Sequence, residues 1–220
     1  MSLSHHLASV RRRAERKPPL SMLVGFAPFV VFALLSNLSP DLALWAAFAT
    51  AFAIGIRDFA HEKLLRLLDV GSATLFGLLA LYAGFIQPGM TIEMVRLVVD
   101  GGLFAISLLS ILLRNPLTLQ YAREQVPSEF WTSRRFIASN YGLTSLWMVA
   151  FAAMASIDAL SNIDKRLPLS FDAALVLLVL LLAIAFTARY PAWLRAKVMR
   201  ADLRRHAPAE KGLPGMQASG

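Results

Sequence analysis

The sequence predicts an all-α polytopic membrane protein: six transmembrane helices with short amphipathic cytoplasmic helices between and after them. Three observations carry the prediction. Hydrophobic residues make up 57% of the 220, and mean hydropathy is +0.57, more apolar surface than a soluble domain of this size can bury. The apolar residues gather into six stretches, each near the roughly 20 residues that a bilayer core requires. The connectors alternate in charge, so that 19 of the 22 Lys and Arg fall on one side and only Arg96, Lys165 and Arg166 on the other. Short basic connectors stay in the cytoplasm, which places both termini there.

The first span is expected over Leu20–Leu38, interrupted by Pro28 and closed by the outer turn Ser39-Pro40-Asp41. Span two, Leu42–Ile56, is short, so Arg57 is expected to snorkel and Trp45 to sit at the outer interface. A stripe of small residues, Ala43, Ala47, Ala51 and Gly55, gives span two a face for close helix packing. Span three covers Val70–Ile86 and ends at Gln87-Pro88-Gly89; span four covers Val95–Leu113 and stops at Arg114-Asn115-Pro116, where proline disfavours helix at Asn115. Spans five and six follow at Tyr141–Ile157 and Ala173–Ala188, the last ending at Tyr190-Pro191. The chain thus divides into a basic cytoplasmic N-terminus (1–19), a six-span bundle (20–190) and a basic tail (191–220), amphipathic at first and disordered from Ala207. A signal peptide is the rival reading of the N-terminus; its apolar run is too long and no small-x-small cleavage site follows.

Three connectors on the basic side alternate charge with apolar residues, as surface helices do. The first sets Phe59, Leu64, Leu67 and Leu68 against Arg57, Glu62, Lys63 and Arg66. The second runs from Arg114 to Ser139 with Tyr121, Phe130, Trp131 and Phe136, and Pro116 and Pro127 bracket an expected helix over Leu117–Val126. The third follows Pro191. This face carries 19 positive and 8 negative charges, the other 3 positive and 6 negative. Its expected partners are the bilayer and its anionic headgroups, not nucleic acid. Asp69–Phe76 and Asn140–Trp147 echo each other weakly, each opening a span from the basic side.

Within the spans, Asp100 most invites a functional reading, because intramembrane carboxylates are costly and often line ion or proton paths. Arg96 stands four residues earlier and can pair with it, a structural role that is the favoured expectation. Asp158 and Asp172 are expected at solvated outer ends. Asn140 is expected to cap span five, with a hydrogen bond to a neighbouring helix or to the backbone carbonyls of a kink as the alternative. No cysteine is present, His61-Glu62 lacks a second histidine because Leu65 stands where it would be, and no phosphate-binding glycine loop or nucleophile elbow occurs. No cofactor, metal or catalysis is expected.

Phe26-Ala27-Pro28-Phe29-Val30-Val31-Phe32-Ala33 resembles the F-x-P-[LF]-V-V-F-F opening of the bacterial intracellular septation protein A family. Asn115-Pro116-Leu117-Thr118-Leu119-Gln120 is similar to that family's basic-x-Pro-Leu-x-Gln segment, and Trp131, Asn140, Trp147 and Phe151 to its later W…N…W…F pattern. The resemblance covers about Leu23 to Ala155; Gln120–Pro127 and the long basic tail depart from it, as in a divergent branch. It implies a multi-pass protein of the bacterial inner (plasma) membrane that supports envelope integrity or septation by contacting cell-wall or division proteins, without catalysis. The candidate functional residues are Asp100, Asn115, Gln120, Arg123, Glu124, Trp131 and Asn140. Two other classes stand beside this scaffold reading: a small solute or proton-coupled transporter using Asp100, and a lipid-modifying enzyme using Arg123, Glu124 and Glu129.

Overall fold

Pro40 has no amide hydrogen to leave unsatisfied, and its fixed φ suits a first helical turn. Ser39 Oγ accepts from the Leu42 amide at 3.4 Å, and Asp41 adds negative charge where the helix dipole favours it. The computed structural model describes residues 24–36, 38–62, 66–124, 126, 128–163 and 169–206, with side chains except at 61–62, 169–170 and 191–206. Among the described residues the chain forms α1 (Ala27–Leu35), α2 (Pro40–Glu62) and α3 (Leu67–Leu81), which runs into a π-helical turn over Tyr82–Ile86. There follow α4 (Ile92–Leu112), α5 (Leu117–Arg123), a 3-10 turn over Ser128–Phe130, α6 (Arg134–Ile163) and α7 (Leu169–His206), with no strand among the described residues. Among the described residues five segments are long and apolar enough to cross a membrane: Pro40–Ala60, Leu67–Ile86, Ile92–Leu112, Arg134–Ile163 and Phe171–Tyr190. The expected first span begins outside the described residues and enters them as the nine-residue α1.

Helix α2 packs against α1 and α3, α3 touches α4, and α4 lies along α6. Ala43, Ala47 and Ala51 are buried, so three members of the small-residue stripe do bring helices together; Gly55 faces open space. Ala43 and Ala47 share one core with Phe32, Phe76, Leu79, Val95 and Val99. Between α3 and α4 the seam is set by glycine: a Cβ on Gly102 would meet the Leu75 methyls at 2.5 Å, whereas Gly101 has nothing near it. The chain divides into two compact units at Leu180. The described part of the second unit is the remainder of α7, where Thr187 Oγ1 donates to the Ala183 carbonyl at 2.8 Å and Phe186 stacks on Tyr190.

Helix α4 begins at Thr91, whose Oγ1 accepts from the Met94 amide, and ends in a Schellman arrangement. The Arg114 amide donates to Ile111 O and the Asn115 amide to Ser110 O, which requires Arg114 to adopt φ +56°, a region that favours glycine. Pro116 then starts the turn into α5.

Several boundaries differ from those read from apolarity. Helix α2 continues past Ile56 to Glu62 because no breaker follows, so Phe59 belongs to α2 while Leu67 and Leu68 belong to α3. The first surface helix therefore does not form as a separate element among the described residues, and Leu64 lies outside them. Helix α5 stops at Arg123 instead of Val126. Helix α6 starts at Arg134, ahead of Tyr141, which puts Asn140 inside the helix. Its Nδ2 donates to the Phe136 carbonyl at 2.8 Å, so the capping role is overturned. Helix α7 does not end at Pro191 but runs through it to His206, despite the lost amide and a typical cost of about 3 kcal/mol for an interior proline. The side chains expected on a third surface helix, and the tail from Ala207, lie outside the described residues.

Candidate functional site

Arg66 is the hub of the end of the bundle where α5 lies. It precedes α3 in an extended conformation, with its side chain only 6% exposed. Its NH1 donates to Asp58 Oδ2 near the end of α2, while Nε and NH2 reach Glu124 Oε1, just after α5, at 2.9 and 2.7 Å. The guanidinium lies 5.0 Å from the centroid of the Tyr121 ring. Arg57 adds a second cation to Asp58, at 2.7 Å, from a half-exposed position. A buried carboxylate is tolerated only when paired and hydrogen-bonded, and Asp58 meets both conditions.

The same connector is fixed at three further points. Gln120 Oε1 accepts from the Leu67 amide at 2.9 Å, satisfying one of the orphan donors at the start of α3, and Gln120 Nε2 donates to the Asn115 carbonyl at 3.0 Å. Thr118 docks α5 onto α6: its Oγ1 donates to the Asn140 carbonyl at 2.8 Å and lies 2.9 Å from Thr144 Oγ1, which accepts from the Thr118 amide. Trp131 Nε1 donates to the Val126 carbonyl at 2.9 Å, and the Arg123 guanidinium stands 5.8 Å from the Trp131 ring centroid. Five of the seven candidates, Asn115, Gln120, Arg123, Glu124 and Trp131, thus belong to one folded connector, and Asn140, inside α6, meets it through its carbonyl. Arg123, Glu124 and Glu129 do not converge: Glu124 faces Arg66, Arg123 faces Trp131, and Glu129 is exposed in the 3-10 turn.

Asp69 and Tyr121 also belong to this end, though neither was among the candidate functional residues. Tyr121 is buried, and burial, together with the Asp69 charge beside it, pushes its phenol above the ordinary range. Asp69 is 2% exposed with neither carboxylate oxygen in a well-formed hydrogen bond; the Arg66 amide and guanidinium are the groups that face it.

No family model, curated protein or solved structure matches the chain. Its chemistry is therefore read from its own geometry, and a second group of charges matters there.

Asp100 lies apart from the other six candidates, on α4, and it does not form an ion pair with Arg96. The spacing was right for a pair, but Asp100 is buried on α4 where that helix packs along α6, which carries the buried Asp158. Asp158 and Asp172 are 2% and 3% exposed, so the expectation that they are solvated is overturned. Asp172 accepts from Ser161 Oγ at 2.7 Å, while Asp158 Oδ2 has no partner. Among the described residues no three acidic or histidine side chains are placed to hold one metal ion.

Proposed function

We propose that this chain is a bacterial inner-membrane interaction or scaffold protein that supports envelope integrity or septation without catalysis, with both termini and the α5 connector in the cytoplasm. One observation supports the reading above others: the connector is folded and clamped to the α2–α3 hairpin by Arg66 and Glu124. A loop that merely joined two spans would not need a buried cation between three elements, whereas a recognition surface needs a fixed geometry. The resemblance to the septation protein A family supplies the cellular setting. The orientation rests on the charge division between the two faces.

A second reading is favoured by a different observation, the burial of Asp100 and Asp158 on two helices that pack along each other. Buried carboxyls within a membrane are the kind of group through which a carrier couples transport to protons. Complementation of a deletion strain separates the two. Glu124→Gln leaves Asp58 to hold Arg66, so the protein stays folded but the connector loosens; the scaffold reading expects it to fail in restoring cell length and detergent resistance, while Asp100→Asn restores both. The opposite pattern, with loss of a proton-dependent flux in Asp100→Asn proteoliposomes, would replace the scaffold by the carrier.

A further inference from the structure

Phe130 and Trp131 are 54% and 38% exposed, yet they are not on a loose loop. The Trp131 amide donates to Ser128 O, its indole to Val126 O, and the Ser133 amide to Phe130 O, with Ser133 O in turn accepting the Ile137 amide in the first turns of α6. The Trp131 indole is thus fixed, and the Phe130 backbone with it, beside the first turn of α6, where Arg134 and Arg135 are exposed. Arg123 lies against the indole, and of the nearby carboxylates Glu124 is engaged by Arg66, leaving Glu129 as the acid in the turn.

Fixed, exposed aromatics next to arginines match the boundary between hydrocarbon and headgroups, where an amphipathic ring has both of its preferred surroundings. Helix α6 has 30 residues. At 1.5 Å per residue that exceeds a hydrocarbon core of about 30 Å, so one or both ends project beyond it. Arg134 and Arg135 at its start are then within side-chain reach of lipid phosphates, and a guanidinium presents the forked donors that phosphate accepts. We infer that the corner formed by Arg123, Trp131, Arg134 and Arg135 is a headgroup site for an anionic glycerophospholipid. The inference rests on the cytoplasmic assignment of the connector proposed above and gives that face a specific lipid contact in place of a diffuse one.

The test is native mass spectrometry of the full chain in detergent, titrated with phosphatidylglycerol or phosphatidylcholine of identical acyl chains. Phosphatidylglycerol should be retained about tenfold or more in preference, from the charge contribution of two or three arginines. Arg134→Gln with Arg135→Gln, both exposed and outside the buried clamp, should abolish that preference. Arg204→Gln with Arg205→Gln, which removes the same charge from the tail, should keep it. Inorganic phosphate at millimolar concentration should not displace the lipid. Unchanged preference in the Arg134/Arg135 variant, equal loss in the tail variant, or displacement by free phosphate would each overturn the site. The platform reading is tested separately: a lost lipid preference with the connector still protected from hydrogen exchange leaves it standing.

Discussion

The two ends of the bundle bury carboxylates by opposite means. At the α5 end, Asp58 and Glu124 share Arg66, and Arg57 adds a second cation to Asp58. At the other end Asp100, Asp158 and Asp172 are buried on α4, α6 and α7 with no ion pair from Arg96, and Asp172 accepts from Ser161. A buried ion pair fixes geometry, because moving either partner strands a charge. Carboxyls buried without a cation have no such lock, so that end is responsive where the first is fixed. The scaffold and carrier readings follow from giving priority to one end or the other.

The largest effect is expected from removing the hub. Arg66→Met leaves Glu124 and the buried Asp69 without their cation and Asp58 with Arg57 alone, and should lower stability by about 3–5 kcal/mol in reversible unfolding of the detergent-solubilised protein. Arg96→Gln, which breaks no ion pair, should cost less than about 1 kcal/mol. Equal losses in the two variants would erase the distinction between the ends. Next in size is the seam that joins them: Gly102→Val puts new methyls into Leu75, already at 2.5 Å from a single Cβ, and should cost about 1–3 kcal/mol by the same measurement. A neutral result would mean that α3 and α4 can separate freely.

Smaller effects sharpen the contrast. Asp100→Asn replaces a buried carboxyl by an amide of the same shape, so stability should stay within about 1 kcal/mol of the parent by the same measurement. A loss as large as that of Arg66→Met would show that the Asp100 carboxyl is itself part of a lock. Arg114→Gly should be neutral or stabilising by up to about 1 kcal/mol, since glycine adopts φ +56° without a Cβ penalty, whereas Arg114→Val should destabilise. Stability equal to the parent in Arg114→Val would remove the Schellman ending as a determinant of where the connector begins.

What could be read from the sequence follows from how local each feature is. Helix α4 was legible because its signals are contiguous, an apolar run and then Arg114-Asn115-Pro116, although its start at the Thr91 cap lies ahead of the Val95 that apolarity marks. The ordered connector was legible from its prolines and spaced aromatics, although α5 is shorter than the prolines imply. The Arg66 clamp was not, because its partners stand 8 and 58 residues away and each looks like an ordinary charge of a basic connector. Asp158 and Asp172 were misplaced for a related reason: a carboxylate near a helix end reads as solvated, and only the meeting of α4, α6 and α7 removes the water. Asn140 was misread because apolarity marks where lipid begins, while hydrogen bonds mark where a helix begins, and in α6 these differ by about two turns. Thr144, four residues after Asn140 on the same face, was the available hint that this face is buried against something polar.

The central claim is that the connector is a fixed platform held by Arg66. Amide hydrogen exchange of the full chain in lipid nanodiscs tests it most directly, read over Leu117–Arg123 in the parent and in Arg66→Met. The account predicts exchange slowed at least about a hundredfold relative to an unstructured peptide, with most of that protection lost in the variant. Exchange at the unstructured rate in the parent, or protection untouched by the loss of Arg66, would contradict it.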